Sequence, residues 1–303
     1  MIYTLTISPS LDFVNEVKDF AINKINRSYD SIYLPGGKGI NVSIVLEELG
    51  VESIAIGYKA GFTGEYLKKL LDKKCIKNDL IDASGYTRIN VKIISEKETA
   101  LNTNTLIIED KHIYILKEKI KLLQENDFLI ISGNIPSALN QDLYEQLIKD
   151  LNVKVKVVID AESKLLMNTL KYNPYLIKPN REELEDLFNI KIESINDVLT
   201  YAKVLQNMGA RNVIVSLDKE GALLLDETKK HYYLKSIDRK IVSSVGAGDS
   251  LIAGFICGVE RKYNMEDAFM LGMACASATA FSKSIADKAS INQTLTLLKE
   301  INN

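Results

Sequence analysis

The 303-residue chain predicts an α/β fold: a doubly wound, mostly parallel sheet with helices on both faces. Three observations lead there. Short apolar runs alternate with helical patterns along most of the length, as strands joined by crossover helices require. Those runs are mostly apolar, which suits strands buried in a sheet covered on both faces. The hydrophobic content of 46% and charged content of 26% match a soluble chain able to bury a full core.

In chain order, a strand is expected at once over Ile2–Ile7, then a helix over Ile40–Leu49, a strand over Ser53–Gly57 and a helix over Glu65–Lys73. The run Phe128–Ser132 reads as a buried strand, followed by a helix over Leu143–Leu151. Strands over Lys154–Asp160 and Tyr175–Lys178 precede helices over Arg181–Phe188 and Val198–Met208, and Val213–Leu217 reads as a further strand. From Asp249 to about Ile301 the pattern is almost wholly helical.

Two segments break the alternation. Asp12–Leu34 and Thr87–Leu116 carry partly polar strand-like stretches (Val14–Val17, Ile89–Ile94, Leu106–Ile108, Ile113–Leu116) with no helix between them. Their likeness predicts that 12–34 and 87–116 pair into a small antiparallel sheet, projecting as a lid from a single domain over 1–303. An exposed face on that sheet could pair with a second subunit, giving a homodimer. The alternative is two unrelated surface hairpins.

Charge excludes some classes. Lys+Arg 38 against Asp+Glu 40 leaves a formal net charge of -2, so nothing marks a nucleic-acid or anionic-membrane surface. The start has neither a basic leader nor a long apolar run, and a cytoplasmic location is expected. Cys75, Cys257 and Cys275 are widely spaced and show no metal-ligand spacing, which suits a reducing compartment. His112 and His231 lie in strand-like stretches outside every motif, which argues against histidine catalysis.

The most telling stretch is Ser244-Val245-Gly246-Ala247-Gly248-Asp249-Ser250, directly before an apolar-periodic helix. Side chains this small let backbone N–H groups converge on an anion, and the helix dipole adds partial positive charge there. An acid beside an anion site repels a bound phosphate. It makes sense if Asp249 takes a proton from a hydroxyl about to attack phosphorus, which points to phosphoryl transfer. A second glycine-rich segment, Pro35-Gly36-Gly37-Lys38-Gly39-Ile40-Asn41, lets backbone approach a ligand and places Asn41 on the first helical turn. It is no Walker A loop, since no Ser or Thr follows the lysine. Alone, it reads better as a flexible turn before a helix, and its weight comes from the motifs that accompany it. A dinucleotide-binding loop is also a poor match for Gly246–Gly248, because its third glycine falls where Leu251 stands.

Five segments in order, Gly36–Asn41, Ser132-Gly133-Asn134-Ile135-Pro136, Lys178-Pro179-Asn180-Arg181-Glu182-Glu183, Val215-Ser216-Leu217 and Val245–Asp249, resemble the PfkB branch of the ribokinase-like sugar kinases. The resemblance spans essentially the whole chain and implies the ribokinase-like version of the predicted fold. It implies that Asp249 is the catalytic base, with Gly246, Ala247 and Gly248 forming the anion hole. Asp12, Gly37, Lys38 and Asn41 resemble sugar-binding positions; Asn180 and Glu183 resemble the residues organising Mg²⁺–ATP, with Glu183 acting on the metal through water. Ser216 and Gly221 resemble the strand and turn beneath the nucleotide. ATP, Mg²⁺ and a monovalent cation (K⁺) are the cofactors so implied.

Within that family, Thr87-Arg88-Ile89-Asn90-Val91-Lys92, with Asn102 beyond, resembles the branch acting on ketohexose phosphates. Arg88 is suited to bidentate phosphate binding, with Arg27 and Lys38 as further candidates. The resemblance to 1-phosphofructokinases implies conversion of fructose 1-phosphate to fructose 1,6-bisphosphate. Tagatose 6-phosphate as substrate is the near alternative, and a catalytically silent sugar-phosphate sensor is one of another class. An unphosphorylated nucleoside gains nothing from Arg88. The chain departs from the family pattern at Asn134 (usually serine), at Asp218 (usually glycine), at Ser243-Ser244 and at Thr103-Asn104-Thr105, where a Gly-Pro turn is usual. None of these removes a catalytic group.

Overall fold

The computed structural model describes residues 1–302. In chain order its elements begin with β1 (Ile2–Thr6), β2 (Ser10–Val17), β3 (Ser28–Gly36), α1 (Lys38–Glu48), β4 (Ser53–Lys59), α2 (Gly61–Lys73) and β5 (Lys77–Asp82). There follow β6 (Ser84–Gly85), β7 (Arg88–Ile94), β8 (Glu98–Asn102), β9 (Leu106–Ile107), α3 (Asp110–Ile120), β10 (Phe128–Ser132), α4 (Leu143–Lys149) and β11 (Lys156–Asp160). The chain continues through α5 (Ser163–Thr169), β12 (Leu176–Ile177), α6 (Arg181–Phe188), α7 (Ile195–Asn207), β13 (Asn212–Ser216), β14 (Ala222–Leu225) and β15 (His231–Leu234). Three helices close it: α8 (Ala247–Glu260), α9 (Met265–Ala280) and α10 (Lys288–Asn302).

The main sheet has 9 strands in the order β15-β14-β13-β12-β11-β10-β1-β4-β5. Strands β5 through β13 in that order are parallel, and the β14–β15 edge is antiparallel. The expected doubly wound sheet is therefore present, with the expected strands within a residue or two of their ends. The order reverses between β1 and β10, so the crevice at their carboxyl ends is the topological switch point where such sheets bind ligands. One face, through Leu5, Ile131, Ile159 and Val213, packs on α3 to α7. The other, through Ile2, Ile130, Val158 and Leu224, packs on α1, α8, α9 and α10. Among the described residues no helix is long and apolar enough to cross a membrane.

The two interrupting segments do meet. β2 and β3 form one antiparallel hairpin, β7 and β8 another, and a parallel β2–β7 pairing joins them in the order β3-β2-β7-β8. The lid is smaller than 12–34 plus 87–116. Leu106–Ile107 pairs instead with β6, and the strand expected at Ile113–Leu116 is part of helix α3. His112, Leu116 and Ile120 recur every fourth residue and are buried, so tertiary burial overrides the local β preference of His112-Ile113-Tyr114-Ile115-Leu116. His112 is accordingly a helix-capping residue, whose Nδ1 accepts from the Glu109 N–H at 2.9 Å. Weakly patterned β5, β14 and the short α5 escape the sequence reading altogether.

Candidate active site

Two helices aim their N-termini at the carboxyl ends of β1, β10 and β11. For α1 the first residue is Lys38; for α8 the cap is Gly246, whose φ of 80° is a left-handed conformation that glycine adopts without strain. The Ser250 hydroxyl donates to Gly246 O at 2.8 Å and also bonds Thr279 Oγ1 at 2.8 Å, fastening this turn to α9. The Ala247 N–H is already engaged with Ser244 O at 3.3 Å. That leaves the amides of Gly248 and Asp249 as the helix-end donors outside the ladder of α8.

Asp249 is buried on the first turn of α8, and Asn41 Nδ2 on α1 donates to its Oδ2 at 2.8 Å. A second buried carboxylate, Asp160 at the end of β11, sits between two ammonium groups: Lys178 Nζ at 3.2 Å from Oδ1 and Lys38 Nζ at 3.4 Å from Oδ2. Burial pushes the Asp249 carboxyl up, and the Asp160 charge adds to it; Asn41, Lys38 and Lys178 oppose them, and the net value is about 7. Burial also works against ionised Asp160, but Lys178 and Lys38 outweigh it and hold that carboxyl below its ordinary range. Lys38 itself is raised: burial works against its charge, and Asp160, Asp249 and Glu183 together win. One carboxylate is thus held ionised, and its neighbour is poised to exchange a proton near neutrality.

Two cavities open on either side of this cluster. One, of about 350 Å³, is lined by Thr6, Gly37, Lys38, Arg88, Asn104 and Ser132 among others. Arg88 is held there by Nε donating to Ser8 O at 3.2 Å and Nη1 donating to Asn90 Oδ1 at 3.1 Å. The other, of about 750 Å³, is lined by Lys178, Asn180, Ser216, Gly221, Ala247 and Gly248, with an apolar wall including Leu251, Met273 and Phe281. A third recess of about 230 Å³ under the lid contains Asp12, Asn41 and Lys92.

The sequence-predicted residues divide accordingly. Gly37, Lys38 and Arg88 share the first cavity, while Asn180, Ser216, Gly221, Ala247 and Gly248 share the second. Asp12 lies on the lid, where its Oδ1 accepts from Ser10 Oγ at 2.8 Å and Asn90 Nδ2 at 3.0 Å, and Lys92 Nζ is 2.8 Å from Oδ2. Arg88, Asn90 and Lys92 alternate along β7 and so share one face of it. Asn180 and Glu183 form a capping box on α6: Asn180 Oδ1 accepts from Glu183 N at 2.7 Å and Glu183 Oε2 from Asn180 N at 2.8 Å. Arg27 is exposed between β2 and β3, and Asn102 is exposed at the end of β8; neither lines these cavities, and Thr103 and Asn104 supply the wall near Arg88.

Asp160, Lys178, Thr6 and Ser132 carry no assigned role in the sequence motifs. The motifs contain Lys178 and Ser132, but only the strand register brings Asp160 beside Lys178 and Ser132 beside Asp160.

A family model described as pfkB family carbohydrate kinase matches residues 11–291. A 1-phosphofructokinase of Bacillus subtilis is 40% identical, over 99% of this chain and 99% of that protein. A D-tagatose-1-phosphate kinase of Bacillus licheniformis is 33% identical over 97% of each. The structure of phosphofructokinase-2 from Escherichia coli, solved with substrates and products, superposes with a TM-score of 0.93 at 27% identity, covering 98% of this chain and 99% of that one. A ribokinase from Thermotoga maritima, at 18% identity and a TM-score of 0.76 over 99% of each chain, shares the fold.

Proposed function

Because the chain belongs to the pfkB family of carbohydrate kinases, we propose that it transfers the γ-phosphoryl group of ATP to the C6 hydroxyl of fructose 1-phosphate, giving fructose 1,6-bisphosphate. The observation that carries this reading is the Lys38–Asp160–Lys178 ion chain beside Asp249. It joins a cavity carrying Arg88 to a cavity carrying Asn180 and Gly248, which is the arrangement a two-substrate phosphoryl transfer needs. The choice of sugar rests on the 40% identical relative named 1-phosphofructokinase.

Arg88 and Lys38 anchor the phosphate already on C1, which directs the far end of the ketohexose toward Asp249. Asp12 and Asn41 take sugar hydroxyls, while Arg27 and Asn102 lie outside the two cavities. Asp249 accepts the C6 hydroxyl proton as that oxygen bonds to the γ-phosphorus and the bond to the ADP oxygen breaks. The amides of Gly248 and Asp249, with Lys178, face the negative charge that spreads over the phosphoryl oxygens. Ser216 and Gly221 support the nucleotide. Lid closure excludes water and so suppresses ATP hydrolysis.

Mg²⁺, when bound, neutralises phosphate charge. Such sites need only one or two carboxylates beside the phosphates. Glu183, through water, and Asp160, whose Oδ2 faces Lys38 Nζ at 3.4 Å, would supply hard oxygens of that kind. Among the described residues no cluster of three or more acids, histidines or cysteines forms an all-protein cage, which fits an ion that arrives with the nucleotide.

The test is ADP release measured with fructose 1-phosphate, tagatose 6-phosphate and the free ketohexoses, with potassium or tetramethylammonium as the monovalent cation. Fructose 1-phosphate should give the highest kcat/KM, and potassium the higher kcat. Preference for tagatose 6-phosphate would reassign the substrate, and release without any sugar would contradict the reading.

A further inference from the structure

Four residues in identical register end adjacent parallel strands: Thr6 on β1, Ser132 on β10, Asp160 on β11 and Lys178 just beyond β12. Ser132 pairs with Asp160 directly; Thr6 and Lys178 follow the last pairs Leu5↔Ile131 and Ile159↔Ile177 by one step. Residues in register on parallel strands point to one face, here the face covered by α1 and α8. Asp160 and Lys178 pair with each other. Thr6 and Ser132 do not.

Thr6 Oγ1 and Ser132 Oγ are buried and have no hydrogen-bond partner within the protein, although their residues are only 5% and 1% exposed. Both residues line the cavity that carries Arg88 and Lys38, at the switch point between β1 and β10. Thr6 cannot easily turn away. A Cβ on Gly39 would lie 2.6 Å from Thr6 Oγ1, and one on Gly37 would lie 2.8 Å from Thr6 Cγ2, so the glycine loop is moulded around this side chain. A buried hydroxyl left unpaired is costly, which makes a ligand group that pairs with it strongly favoured.

The charged work of the site is already assigned: phosphate to Arg88 and Lys38, the proton to Asp249. A neutral hydroxyl can both donate and accept, and it matches another hydroxyl better than it matches a phosphate. We propose that Thr6 and Ser132 are specificity-determining residues that hydrogen-bond ring hydroxyls of the phosphorylated ketohexose and so select among its epimers. This rests on the sugar-phosphate kinase reading above. A site built to bond a hydroxyl rejects an analogue that misplaces it far more strongly than an apolar pocket does, because its own polar groups are then stranded.

The experiment measures kcat/KM for fructose 1-phosphate and its C3, C4 and C5 epimers, with the KM for ATP, in the unmodified protein, Thr6→Val, Ser132→Ala and Thr6→Ser. Thr6→Val and Ser132→Ala should lower kcat/KM for the preferred sugar by about tenfold or more and shrink at least one epimer ratio by about fivefold or more. Thr6→Ser, which keeps the hydroxyl, should restore both, with the KM for ATP within about twofold throughout. Unchanged epimer ratios in both deletions, or a KM for ATP rising in step with that for the sugar, would overturn the proposal. If the unmodified protein turns over none of the four sugars, the kinase reading itself fails. Calorimetric binding of the same sugar phosphates to the same variants then decides the hydroxyls' role: lost epimer discrimination supports it, and unaltered discrimination refutes it.

Discussion

At the residue scale, two buried carboxylates in the field of the same two lysines are driven in opposite directions. Asp160 touches both ammonium groups and stays ionised. Asp249 receives one amide hydrogen bond from Asn41, and burial together with the Asp160 charge brings it to about 7. A base must be deprotonated to accept a proton, so kcat/KM should rise with pH through neutrality, well above the range of an ordinary carboxylate. Asp160→Asn removes the negative neighbour and leaves Lys38 and Lys178 uncompensated. Both changes favour ionised Asp249, so the acid limb of the pH profile should move to lower pH; a limb that stays or moves up contradicts the assignment. Asp249→Asn should lower kcat by about 10³-fold while the Kd for ATP, read by calorimetry, changes by less than about twofold. Asp249 and Lys38 were legible in the sequence because each sits at the glycine-rich start of a helix. Asp160, Thr6 and Ser132 were not: each is a polar residue at the end of a largely apolar strand, and its meaning lies in which strand runs beside it.

At the element scale, helix ends and sheet edges do the positioning. The N-x-x-E segment read from sequence as a nucleotide motif is also a helix-capping device, in which Asn180 and Glu183 satisfy each other's backbone N–H groups and thereby fix Asn180 at the wall of its cavity. Strands and helices with strong periodicity were legible almost to the residue, as at Phe128–Ser132 and Arg181–Phe188. Those with mixed patterns were not: Ile113–Leu116 has strand-like residues, yet the spacing of its buried positions is helical. The lid was legible as a pairing of distant segments, but not the parallel sense of β2 against β7, which nothing local encodes. Its edge strand β3 and the preceding turn expose Ile22, Ile25, Tyr29 and Ile32 at 82%, 84%, 70% and 52%. We propose that this apolar edge pairs two subunits. Sedimentation velocity should then show a dimer that Ile25→Lys with Ile32→Lys converts to monomer; a monomeric unmodified protein, or a variant that stays dimeric, would refute it.

At the scale of the whole molecule, a parallel sheet whose strand order reverses between β1 and β10 collects polar residues from separate parts of the chain at one edge. From there, Arg88 and the glycine loop of α1 face one cavity, Asn180 and the start of α8 face the other, and Asp249 stands with the lysine-flanked Asp160 between them. On this reading the phosphoryl group leaves ATP and arrives on the carbon opposite the existing phosphate. Phosphorus NMR of fructose 1-phosphate incubated with Mg²⁺–ATP and the protein tests this most directly. A second phosphomonoester resonance, coupled to the C6 protons and growing in step with ADP, is expected. Inorganic phosphate accumulating in its place, or a new ester on any other carbon, would contradict it.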